Sequence, residues 1–139
     1  MGYRRSSREL AMQALYYIDM GKNDQERAFR LFCINFEPSD DVMPFFQQLV
    51  KGTLEHRDKI DRKIETFSSN WKLSRMSGVD RNVIRIAVYE LMFCHDIPSK
   101  VSINEAIDIG KKYGTADSGA FINGILDAIS IDIDKAVLS

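Results

Sequence analysis

The stretch SGVDRNVIRIAVYELMF, residues 77–93, is the strongest single constraint on what this chain can become. Ser77-Gly78-Val79-Asp80 has the Ser-x-x-acid form of a capping box, which starts a helix. Behind it Val83, Ile84, Ile86, Ala87, Val88, Tyr89, Leu91, Met92 and Phe93 are apolar around nearly the whole circumference, not along one stripe. A helix of that kind is stable only when other elements surround it. The β-branched residues are compatible with a strand, but the length of the run and the cap favour helix. Arg85 interrupts the apolar run and requires an acid or a carbonyl inside the protein, so an ion pair is its simplest role. Asp80 and Arg81, at the start of the same helix, are alternatively open to a protein partner.

The rest of the chain supplies helices to surround it. Ser6-Ser7-Arg8-Glu9 is a second capping box and predicts a helix from Ser6, with Leu10, Ala11, Ala14, Leu15 and Ile18 as its buried stripe and Gly21 as its end. A short helix follows from about Asp24, carrying Ala28, Leu31 and Phe32 on one side. Glu37-Pro38-Ser39-Asp40-Asp41 is a turn. From Met43 a long apolar pattern runs through Phe46, Leu49, Val50, Leu54, Ile60, Ile64 and Phe67, thinning near His56 where a break is expected. Ser68-Ser69-Asn70 interrupts, and Trp71 and Leu73 begin a short connector. Ser102-Ile103-Asn104-Glu105 predicts a third capping box, for a helix ending in Lys111, Lys112, Tyr113 and Gly114. Thr115-Ala116-Asp117-Ser118 caps a last helix through roughly Ile129, with Asp117 as the simplest N-cap. No repeat, low-complexity tract or hairpin punctuation appears. The fold class is all-α: a single compact domain of about seven helices.

With 139 residues, 45% of them hydrophobic and 28% charged, such a domain can bury a real core. The net charge of −1 provides no global attraction to nucleic acid, so any basic site is local. No apolar run approaches a membrane span, and no signal core follows the charged start, so a cytoplasmic, non-membrane protein is expected. Cys33 and Cys94 are too far apart in sequence to suggest a disulfide framework or a zinc site. A catalytic reading finds little support. His56 and His95 are the only histidines, and no nucleophile, carboxylate-pair or metal-cluster signature accompanies them. Gly114 to Gly119 lacks the Lys-Ser/Thr of a phosphate loop and reads as a turn between helices. Neither enzyme activity nor a cofactor or metal is expected.

Binding features are richer. Arg4, Arg5 and Arg8 crowd a helix N-terminus, where the helix dipole disfavours cations. Placing the helix start at Ser6 leaves Arg4 and Arg5 as an arm and Arg8 in the first turn. Gln13 and Tyr16 lie further along. Arginine offers charge and a planar donor fork to phosphate, and tyrosine offers a face to an unstacked base. On composition alone an RNA contact and a loose terminal arm stand level. The stretch from Lys111 to Gly124 combines two lysines, an aromatic residue and a helix N-terminus. Gly124 inside a helix costs about 1 kcal/mol against alanine, and close helix packing with a bonded Asn123 is the preferred explanation.

Taken together, these segments resemble the bacterial NusB family of transcription antitermination factors. The resemblance begins with Arg4-Arg5-x-x-Arg8-Glu9-x-Ala11-x-Gln13-x-Leu15-Tyr16. It continues through Val79-Asp80-Arg81-x-Val83-Ile84-Arg85-Ile86-Ala87-Val88-Tyr89-Glu90-Leu91. Then come Asp96-Ile97-Pro98-x-x-Val101-x-Ile103-Asn104-Glu105-Ala106-Ile107 and Lys111-x-Tyr113-Gly114. It closes on Asp117-Ser118-x-x-Phe121-Ile122-Asn123-Gly124-Ile125-Leu126-Asp127. From about Gly21 to Phe67 only helical pattern and length match.

The resemblance implies a helical subdomain over roughly 1–70, a second over roughly 71–139, and binding instead of catalysis. It implies recognition of boxA RNA of ribosomal RNA transcripts together with NusE, a small-subunit ribosomal protein, in a complex that makes RNA polymerase resistant to termination. Carried over by motif, Arg4, Arg5, Arg8, Gln13, Tyr16, Lys111, Asp117, Ser118 and Phe121 would contact RNA, and Asp80 and Arg81 would lie toward NusE. Ser6 and Ser7 stand where relatives often carry more basic residues, which weakens the phosphate term. The alternatives are a protein-binding adaptor or homodimer, and an accessory domain of a ribosomal RNA methyltransferase system.

Overall fold

The structure is a computed structural model that describes residues 2–21, 24–69 and 71–138. Its elements are α1 (Tyr3–Met20), α2 (Gln25–Phe36), α3 (Met43–Glu55), α4 (Arg57–Phe67), one 3-10 turn (Leu73–Arg75), α5 (Gly78–Phe93), α6 (Ser99–Tyr113) and α7 (Ser118–Leu138). As the all-round apolar pattern requires, α5 is the axis, packed by α1, α3, α4, α6 and α7. Ile84 and Val88 are completely buried on it. Burying such a side chain stabilises the fold by about 1.5–3 kcal/mol. Tyr89 fits only because α3 carries Gly52 opposite, where a Cβ would come within 2.3 Å of the ring. Phe29, Phe32 and Phe46 pack α2 onto α3, with ring centroids 5.6–6.0 Å apart.

Several helix ends differ from the sequence expectations, and the reasons are tertiary. α1 begins at Tyr3, not Ser6. Gly2 takes the left-handed φ of 84° before it, and no side chain caps the helix. Ser7 is turned inward, its hydroxyl donating to the carbonyls of Tyr3 and Val42. Glu9, the other half of the predicted capping box, instead accepts from Lys112 and Tyr113. α6 likewise begins at Ser99, directly after Pro98, so Ser102 lies inside the helix and its hydroxyl donates to Glu90. The last helix continues to Leu138 instead of stopping near Ile129, and Lys63 of α4 holds its extra turns through Asp132 at 2.8 Å.

Other expectations hold. Asp24 caps α2 by accepting the Arg27 N–H, and Ser77 caps α5 by accepting the Asp80 N–H. The break falls at His56, whose ring stacks on Phe93 at 4.1 Å. Asn70, part of the predicted interruption, lies outside the described residues. Among the described residues no helix is long and apolar enough to cross a membrane.

Candidate nucleic-acid interface

One face of α1 carries Arg5, Glu9, Gln13 and Tyr16, a spacing of four, four and three that keeps them in line. Because the helix starts at Tyr3, Arg4 and Arg5 belong to its first turn and are not an arm ahead of it. The anions that offset their charge come from the protein itself. Arg5 Nε donates to Glu105 Oε1 at 2.8 Å, and its Nη2 pairs with Glu105 and with Asp108. Hydrogen bonding from Arg5 comes first among the causes that hold the Glu105 carboxyl below its ordinary range. Arg4 is the most open of the three arginines. It lies 5.0 Å from the centre of the Phe45 ring and 3.5 Å from Asp96.

Arg8 is different. It is 3% exposed and forms a two-pronged pair with the equally buried Glu90, 2.8 Å on both bonds, plus a 3.1 Å bond to Glu105. Burial works against its charge, but the two carboxylates outweigh burial and raise its pKa. With Ser102 donating to the same Glu90, this cluster ties α1, α5 and α6 together.

The α6–α7 corner forms the next part of the surface. Gly114 leaves room for the turn, since a Cβ there would stand 2.3 Å from Ser118 Oγ and 2.7 Å from the Gly110 carbonyl. Ser118 Oγ accepts the Thr115 N–H at 2.9 Å, and the Asp117 N–H donates to Thr115 Oγ1. Ser118 is buried and shapes the turn, whereas Asp117 is exposed. The stem of Lys111 lies across Gly119, where a Cβ would approach its Cε to 2.8 Å. Gly124 corrects the packing explanation: it is exposed, and a Cβ there would meet nothing within 4 Å. Asn123 beside it is also exposed.

Tyr16 joins these parts to the start of α5. Its ring lies so close over Gly78 that a Cβ there would be 2.4 Å away. Next to Gly78 opens a cavity of about 320 Å³ between Trp71, Arg75, Asp80, Thr115, Asp117 and Phe121. The Trp71 and Phe121 rings meet edge to face, 5.8 Å between centroids. Trp71, read from the sequence only as the start of a connector, and Arg75 were not among the expected contact residues. The available signal was a lone tryptophan in a connector, where no helical stripe accounts for it.

Arg81, expected toward a protein partner, points inward: it donates to Asp19 at 2.8 Å and to the carbonyls of Leu73 and Met76. Arg85 has the interior partner its position demands, a two-pronged pair with Asp61 at 2.9 and 3.0 Å. Among the described residues no cluster of three metal-ligating side chains occurs. Burial pushes the Cys94 thiol up to about 11, away from nucleophilic character.

The profile of the NusB family matches residues 5–130. This chain belongs to the NusB family. It is 57% identical over 135 residues to the transcription antitermination protein NusB of Desulfatibacillum aliphaticivorans, covering 97% of this chain and 94% of that one. Among solved structures, NusB of T. maritima superposes with a TM-score of 0.81 at 38% identity, covering 93% of this chain and 91% of that one. A crystal structure of antitermination factors NusB and NusE in complex with dsRNA superposes with a TM-score of 0.84 at 28% identity, covering 95% and 98%. Within the NusB family frame, the matched span includes every interface residue named above except Arg4.

Proposed function

We propose that this chain is an RNA-binding transcription antitermination factor that acts with NusE on boxA RNA of ribosomal RNA transcripts and makes RNA polymerase resistant to termination. The observation that carries this reading is the joining of the two ends of the chain into one surface. Helix α1 contributes Arg4, Arg5, Gln13 and Tyr16, and the α6–α7 corner contributes Lys111, Asp117 and Phe121. Cations there meet phosphates, while Tyr16 and Phe121 offer faces to splayed bases, the usual route to sequence-specific recognition of single-stranded RNA. Arg8 and Ser118 act in this surface from below, Arg8 by anchoring α1 and Ser118 by closing the turn. Asp80, which the resemblance carries toward NusE, lines the cavity beside Trp71 and Phe121, and Arg81 braces the connector beneath it. Work of this kind is binding without catalysis, in the cytoplasm, by a protein whose two helical subdomains divide near residue 70.

Titration of boxA-type RNA at several salt concentrations, with and without NusE, tests the reading. Salt-dependent binding that NusE strengthens is expected. Absent or salt-insensitive binding in both arms refutes it.

A further inference from the structure

We propose that the cavity between Trp71 and Phe121 is a subsite for one unstacked nucleobase bearing an amino group, stacked on Trp71 with its donor edge toward the Asp80 and Asp117 carboxylates. This rests on the RNA reading above and adds to it a place and a base class.

Trp71 is the only tryptophan of the chain, and it is 52% exposed in a molecule that buries most of its large apolar side chains. Its backbone is held on both sides: its carbonyl accepts the Ser68 hydroxyl at 2.6 Å and its N–H donates to the Ser68 carbonyl at 3.1 Å. The indole is thus an open ring on a fixed base. Phe121 meets it at 73°, so the two rings form a corner and not a closed stack. That corner bounds a cavity of about 320 Å³.

The rim decides what enters. Two carboxylates, Asp80 and Asp117, repel a phosphate, so the backbone of the strand stays outside and a base goes in. Arg75, exposed at the edge, is available to the phosphate that remains there. Carboxylates only accept hydrogen bonds. Adenine, cytosine and guanine bring an amino group to such a rim, and uracil brings only an imino N–H.

Because Trp71 is the sole indole, its emission reports this wall alone. Single-stranded boxA-type RNA is titrated into the full chain, following Trp71 emission and RNA anisotropy together, with the Trp71→Phe protein as the optical blank. Emission is expected to change in step with anisotropy. Trp71→Ala is expected to weaken binding about 5- to 150-fold, the range of one base–aromatic stack, with the thermal midpoint nearly unchanged. Trp71→Phe is expected to retain most of the affinity. Scanning uracil through the RNA is expected to reveal one position where it weakens binding to the wild type, and Asp80→Asn is expected to shrink that penalty. Unchanged emission at saturating RNA overturns the subsite while leaving RNA binding intact. A change on adding NusE alone also overturns it, because a protein side chain then fills the cavity. Absence of any anisotropy change overturns both this subsite and the function on which it rests.

Discussion

The two ends of α1 are built from the same kinds of residue to different effect. At its C-terminal end Asp19 gathers Arg57, Arg81 and Arg85, with Asp61 completing the cluster, and the central guanidiniums are turned inward. At its N-terminal end Arg4, Arg5 and Arg8 meet Asp96, Glu105, Asp108 and Glu90, and burial changes stepwise from the open Arg4 through Arg5 to the enclosed Arg8. A cluster whose central charges, Asp19, Arg81 and Arg85, are turned inward is structural, since each of them must keep its partner. A graded cluster is anchored at one end and exchangeable at the other. Under the proposed function, its outer carboxylates are the groups that RNA phosphates would displace from Arg4 and Arg5. Burial, more than residue type, separates an anchor from a binding group.

The contrast breaks most severely at Arg8. Arg8→Ala leaves Glu90 buried without its cation and is expected to cost about 3–5 kcal/mol in chemical denaturation. At the other end, Asp19→Asn is expected to destabilise less, because Asp61 still serves Arg85, and to flatten the acid side of the stability curve. The sign follows from the carboxyl. Burial opposes its charge, but Arg85, Arg81 and Arg57 together hold its pKa below the ordinary value of 3.8. The stability it contributes is therefore complete above that value and is lost as pH falls through the lower, folded one. Denaturation midpoints of wild type and Asp19→Asn, compared from neutral pH down past pH 4, check it.

Arg4→Ala with Arg5→Ala is expected to leave the thermal midpoint nearly unchanged, since exposed pairs contribute about 0–1 kcal/mol. The plot of log affinity for boxA-type RNA against log salt should become shallower by about 1.4, or roughly 0.7 for each phosphate that the double variant no longer neutralises. A large loss of stability instead would make this end as structural as the other. The smallest effect is expected from Asp108→Asn, which removes a competing carboxylate from Arg5. Low-salt RNA affinity should rise by about 2- to 5-fold, the scale of one exposed ion pair, with no change in folding.

The helices were legible because apolar spacing reports burial directly, and α5 most of all. Helix starts were less so. Ser6 to Glu9 and Ser102 to Glu105 both have capping-box form, but Glu9 and Glu105 serve side chains about a hundred residues away, which no local pattern reveals. The same distance hid the difference between Arg8 and its neighbours: three arginines look alike until Glu90 is placed under one of them. Gly124 read as a packing glycine because glycine in a helix usually needs a reason, and none of its surroundings supplies one. The cavity beside Trp71 draws on the connector, α5 and the α6–α7 corner, so only the assembled fold brings it together.

The pairs that complete the interface, Arg5 with Glu105 and Glu9 with Lys112, join residues 100 and 103 positions apart. During synthesis the first turn of α1 emerges long before any of α6 exists. Its arginines then lack Glu90, Glu105 and Asp108, and neither the turn at Ser118 nor the wall at Phe121 has been made. Closure of such distant pairs is a late and slow step of folding. The proposed RNA surface is thus a property of the finished chain, and a ribosome partway through the message carries a basic peptide with none of the geometry that would make it selective.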